Sequence, residues 1–233
     1  MSMAHAAENN QARSGAAEGG PGTGFAWFGK VPSAGDFVSR RMPYTLQQFW
    51  DRWCASGMEA FKAGNPASGW EFWQGVPKWA FLLPVQPGIA TGQFGVMAPS
   101  CDRVGRNFPF LVISPLAQGN AATLLPRAAA LGLAWSDVIG EAQLGRQGID
   151  VLDARLESAL AEVLSSAPAI DDSDRTLPRG MNPVTAPWPD LANTFDPQGS
   201  ESYWWSVPPA STGFRARTHV GPLSGMHFLA LCR

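Results

Sequence analysis

The sequence predicts an α+β fold: a mainly antiparallel sheet flanked by helices. Three observations predict it. Three apolar runs of strand length, 78–83, 94–98 and 108–113, follow one another across short turns and read as an antiparallel meander. A strongly amphipathic stretch precedes that meander. Two further helical stretches come after it, so strands and helices are grouped and do not alternate as in βαβ units.

Residues 1–24 are rich in Ala, Gly, Asn, Ser and Gln, and have only methionines as large apolar side chains. Such a stretch cannot offset the entropy of ordering itself and is expected to be a disordered tail. Residues 25–233 are expected to form one domain, long enough to bury roughly 70% of its unfolded surface. Its first apolar run, 25–28, continues through 29–31 and is stopped by the turn residues 32–36, and 37–40 can return as a paired strand or a short extended arm. Next, Thr45 and Gln48 have the spacing of a capping box, with Pro43 just before. Leu46, Phe49, Trp50, Trp53, Cys54, Gly57, Met58 and Phe61 then fall on one helical face, the signature of packing against a sheet.

Between 64 and 77 the chain reads as loop, with one helical turn plausible around Trp70, Phe72 and Trp73. After the meander, Thr123 can cap a helix whose first turn tolerates Pro126 and whose inner face is Leu124, Ala128, Leu131, Trp135 and Val138. Asp150 can cap another, facing inward with Leu152, Leu156, Ala159, Leu160 and Val163. Pro- and Asp-rich residues 168–199 are expected to form a long irregular connection, and such loops are uncommon unless functional or mobile. Two late strands are expected at 202–207 and 226–231. Adjacent Trp204 and Trp205 would point to opposite faces of the first, one into the core and one towards a partner.

Charge and cysteine usage exclude several classes. Charged residues make up only 15% of the chain and the net charge is -2, with no basic run longer than Arg40–Arg41, so nothing neutralises a nucleic-acid backbone. So sparse a charge leaves surface for a partner to cover. Three scattered cysteines without a CxxC pair fit a reducing compartment and offer no zinc spacing, and the three histidines lack a helical metal pair. No metal or other cofactor is expected. No apolar run approaches the roughly 18 residues of a membrane span, nor do the first residues form a signal peptide, so membrane insertion is not expected and the cytoplasm is.

Two polar loops stand out against this background. One is the turn of the 94–113 hairpin, carrying Ser100, Cys101, Asp102, Arg103, Gly105, Arg106 and Asn107. The other, 30–36, holds Lys30, Ser33 and Asp36; its Gly29-Lys30 pair lacks the earlier glycine and the following Ser/Thr of a phosphate-binding loop. Asp102, Arg103, Arg106 and Asp36 can form a charge-assisted network tying the loops together. Lys30, Ser33, Asp36, Ser100, Asp102, Arg103 and Arg106 are therefore the candidate partner-binding set, with the two arginines as the groups best suited to read a carboxylate or phosphate. The competing reading is that these residues brace turns, as Asp commonly does. Two alternatives stay open. A cryptic hydrolase would use Cys101 or Ser100 as nucleophile with His219 or His227 as base, although no GxSxG elbow accompanies Ser100. A small-ligand sensor would use Trp70, Trp73 and Trp79 as a pocket, where core burial is the ordinary role.

The segments WFGKVPSAGDFVSRRMP, FWDRWCASGM, PSCDRVGRNFPFLV, SYWW and GMHFLAL together resemble the TagF family associated with bacterial type VI secretion, over nearly the whole chain beyond the tail. Cys101 stands where the family pattern has an aliphatic or similar residue. The resemblance implies a non-enzymatic cytoplasmic accessory protein that restrains the secretion apparatus after translation, by contact with a forkhead-associated scaffold protein. Some relatives are fused to a serine/threonine phosphatase domain; this chain ends at Arg233 without one, so that activity is not expected. A longin- or profilin-like sheet is implied as well.

Overall fold

Strands form where aromatic and β-branched residues run together. The computed structural model describes residues 24–64, 70–117, 119–145, 147–166, 190–207 and 215–233. They contain β1 (Ala26–Gly29), β2 (Val38–Arg40), β3 (Trp79–Leu83), β4 (Gly92–Ala98), β5 (Phe110–Leu116), β6 (Glu201–Ser206) and β7 (Ala216–Val220). All join one seven-stranded sheet in the order β2-β1-β5-β4-β3-β6-β7. Every pairing is antiparallel, and the expected meander is its centre.

Helices cover both faces. On one lie α3 (Ala121–Leu124), a 3-10 turn (Leu125–Arg127), α4 (Ala128–Gln143), α5 (Ile149–Ser165) and α6 (Leu191–Thr194). They bury Leu131, Trp135 and Leu156 against Trp27, Leu82, Phe94, Val112 and Trp205. On the other lie α1 (Tyr44–Gly64), α2 (Trp70–Gln74) and α7 (Gly225–Leu231), packing Trp50, Trp53 and Phe228 against Phe28, Phe81, Leu111 and Trp204. Because alternate residues of β3, β4 and β5 enter opposite cores, these strands read as continuous apolar runs with no polar face. Each such large side chain contributes about 1.5–3 kcal/mol by leaving water.

The amphipathic stripe of α1 behaves as its spacing predicts, with Trp50, Trp53, Cys54, Gly57, Met58 and Phe61 buried. Its start differs. Thr45 lies inside the helix, Gln47 N–H bonds Pro43 O at 2.9 Å, and the Gln48 amide donates to the Tyr44 hydroxyl in place of a capping box. Likewise Thr123 falls within α3, and Gly148 precedes α5 with Asp150 in its first turn.

Three expectations about the chain's last part are corrected. Residues 226–231 are helical because Ser224 caps them, its Oγ accepting from His227 N–H at 3.3 Å, and because Phe228 and Leu231 share the buried face. The second late strand is instead β7, whose residues are largely exposed at the sheet edge. Trp204 and Trp205 do point to opposite faces, yet both are buried, since each face carries helices. Of the stretch 168–199, residues 190–199 are described and include α6, with Leu191 and Phe195 in the core; 168–189, like the tail 1–23, lie outside the described residues.

Candidate functional site

The β4–β5 hairpin ends in a turn that its own backbone closes. Cys101 and Asn107 extend the ladder, Phe108 N–H bonds Ser100 O at 3.0 Å, and Gly105 adopts a left-handed φ of 84° that suits glycine. Asp102 is folded inward at its centre. One carboxylate oxygen accepts from the backbone N–H groups of Val104 (3.1 Å) and Arg106 (2.9 Å). The other accepts from Lys30 Nζ at 3.0 Å and Arg106 Nε at 2.6 Å.

Those bonds draw the 30–36 loop onto the hairpin. Arg103 N–H donates to Ala34 O at 2.7 Å, Arg106 Nη2 donates to Gly35 O at 2.7 Å, and the same nitrogen stands 3.9 Å from Asp36 Oδ1. Lys30 Nζ also sits 4.9 Å over the Phe37 ring. Beneath the turn, Trp73 Nε1 donates to Ser100 O at 2.9 Å and Gln143 reaches Pro99 O, so α2 and α4 grip its base.

Burial alone would push the Asp102 carboxyl up. The Arg106 backbone N–H, then the side chains of Lys30 and Arg106, outweigh it and hold the group well below the usual carboxylate range. Asp102 is therefore an ionised, saturated anchor. The seven candidate residues come together but divide by exposure. Lys30, Ser100 and Asp102 are buried, so they fix the loops and do not themselves reach a partner. Ser33 is half-buried, while Asp36, Arg103 and Arg106 face solvent.

Around the exposed arginines lie residues that nothing in the sequence singled out. Val104 is 69% exposed at the turn's tip, Phe37 43% exposed and stacked on Phe28, and Leu144 67% exposed at the nearby end of α4. The site thus combines two guanidinium groups with an apolar surround. The hydrolase arrangement is not assembled. His219 pairs with Ser202 on the far side of the sheet, and His227 stacks on it at 4.3 Å, away from Cys101 and Ser100. Of the three tryptophans of the sensor reading, Trp73 and Trp79 are buried and bonded to Ser100 O and Leu231 O, which places them in the core, and the Trp70 side chain lies outside what the structure describes.

A family model described as TagF N-terminal domain, Type VI secretion system-associated, matches residues 26–163. The chain belongs to the TagF family. Among solved structures, PA0076 from Pseudomonas aeruginosa PAO1 is similar at a TM-score of 0.61 and 25% identity, covering 90% of this chain and 94% of that one. No curated protein matches the sequence. Both loops of the candidate site lie inside the TagF match, whereas β6, β7 and α7 lie beyond it. Among the described residues, no helix is long and apolar enough to cross a membrane.

Proposed function

We propose that this TagF-family protein is a cytoplasmic, non-enzymatic negative regulator of type VI secretion that acts after translation by binding a forkhead-associated scaffold protein. The observation that carries the contact is the exposed Arg103–Val104–Arg106 tip, held in one shape by the buried Asp102. A surface fixed before binding loses little freedom on association, and arginine beside apolar groups is the composition of binding hot spots. The guanidinium of Arg103 lies over Gly35 with no ion-pair partner among the described residues, which leaves it free to pair with an acidic or phosphorylated group of the scaffold. Binding only the unassembled scaffold withdraws it from assembly by mass action.

The test is co-elution of the purified protein with its cognate forkhead-associated protein, comparing wild type with Arg103→Glu and Val104→Asp. The expected result is a complex with wild type and at least about tenfold weaker binding with either variant, Arg103→Glu losing a charge-assisted contact and Val104→Asp placing a carboxylate in an apolar one. Equal binding by all three would move the contact away from the hairpin. No complex with wild type would refute the partner.

A further inference from the structure

At the opposite edge of the sheet, beyond the TagF match, β7 and α7 enclose an open depression of about 390 Å³, within the size range of small-molecule sites. Its floor is unusual. His227 is only 6% exposed, yet neither ring nitrogen has a hydrogen-bond partner among the described residues. Buried polar groups are ordinarily paired, so two orphaned nitrogens in one ring require an explanation. The ring is held by packing: it stacks on His219 at 4.3 Å and on Trp53 at 6.0 Å, and meets Trp204 edge-on at 4.9 Å.

The groups gathered there share one sign. Arg217 and His219 are two apart on β7 and lie opposite Trp204 and Ser202, on the face that α7 covers. Arg217, His219, His227, Ser224 and Met226 all line the depression, and none of its lining residues is acidic. Ser224 Oγ accepts from His227 N–H, which leaves its own hydroxyl hydrogen to donate. His219 Nε2 already donates to Pro222 O at 3.1 Å, so the groups open to a ligand are the Arg217 guanidinium, the His227 imidazole and the Ser224 hydroxyl, and converging without a counter-charge they suit an anion with several oxygens.

We infer that this depression is a binding site for a phosphoryl group, held by Arg217 and His227 with Ser224 assisting, beside the stacked His219 ring. The charged or titratable groups acting on His227 are Arg217 and His219 from β7; α1 and β6 present only the uncharged Trp53 and Trp204 to it. Burial, then those two neighbours, push the His227 imidazole down to about 3, so it is neutral. A bound dianion opposes the repulsion from Arg217 and His219 and accepts from the one ring N–H that the neutral His227 carries.

The test uses the full chain, whose three histidines make the ring signals assignable by substitution. Imidazole NMR is followed during titration with inorganic phosphate and with phenyl phosphate, against sodium chloride at equal ionic strength. Saturable shifts of His219 and His227, with His5 unmoved, are expected, and Arg217→Ala should weaken them about tenfold. Saturation by phenyl phosphate alone identifies a phosphoester as the ligand, and saturation by both admits free phosphate. His227→Phe should raise Tm and abolish the phosphate response of His219, a pairing that a merely structural histidine does not give. Shifts no larger than those in chloride, or an unchanged titration in Arg217→Ala, would overturn the assignment.

Discussion

Lys30 and Asp102, 72 positions apart in the chain, meet at 3.0 Å with side chains that are 7% and 0% exposed. Removing one member of such a pair strands the other charge out of water, at a cost of about 3–5 kcal/mol. Asp102→Ala should therefore lower stability by about that amount in urea denaturation. Lys30→Met combined with it should cost less than the sum of the single changes, because no buried ammonium is then left unpaired. The Arg106–Asp36 contact is exposed on both sides, so Asp36→Ala should change stability by less than about 1 kcal/mol.

Acid should separate two groups. The folded-state Asp102 carboxyl titrates below its unfolded value of about 3.9, so its contribution is fully present above that pH and is lost as pH falls towards the folded value. Compared with wild type, Asp102→Ala should show a shallower loss of stability below about pH 4. His227 acts in a higher window. Its folded value of about 3 lies below the ordinary 6.5, so between these the unfolded chain binds the extra proton and stability climbs with pH. His227→Phe should flatten that part of the profile, measured as Tm against pH.

Glycine governs the approach of α1 to α7. A Cβ at Gly57 would land within the ring of Phe228. Gly57→Ala should cost about 3 kcal/mol by overpacking, and Phe228→Leu should recover part of it in the double variant.

The cysteines should be inert in the folded protein. Cys54, Cys101 and Cys232 are all buried; burial pushes each thiol up, Cys232 to about 12, and the Asp102 carboxylate adds to the effect at Cys101. Iodoacetamide at pH 7.5 should label native protein at least about tenfold more slowly than urea-unfolded protein. Fast labelling of native Cys101 would reopen the nucleophile reading.

The meander, the α1 stripe and the joining of the two polar loops were legible because each rests on local pattern: apolar runs, helical spacing, and charged residues in otherwise uncharged turns. Other features had no local signal. GMHFLAL is as compatible with a strand as with a helix, and only the Ser224 cap and the buried Phe228–Leu231 face distinguish them. β7, with its exposed Arg217, Thr218 and Val220, is a strand because β6 offers it a pairing edge. Which polar residues anchor and which face outward was also hidden. Asp102 and Arg103 are neighbours of equal polarity, and only the inward fold of the turn buries one and exposes the other.

The position of β1 between β2 and β5 governs the order of assembly. β3, β4 and β5 can zip together from their own turns, but β1, made first, must wait for β5, made much later, before it finds its place. Until it docks, Lys30 stays in water and Asp102 lacks one of its anchors. A nascent or partly unravelled chain therefore lacks the Lys30, Ala34 and Gly35 contacts that brace the Arg103 tip. Whatever reads that tip meets it fully braced only in finished molecules.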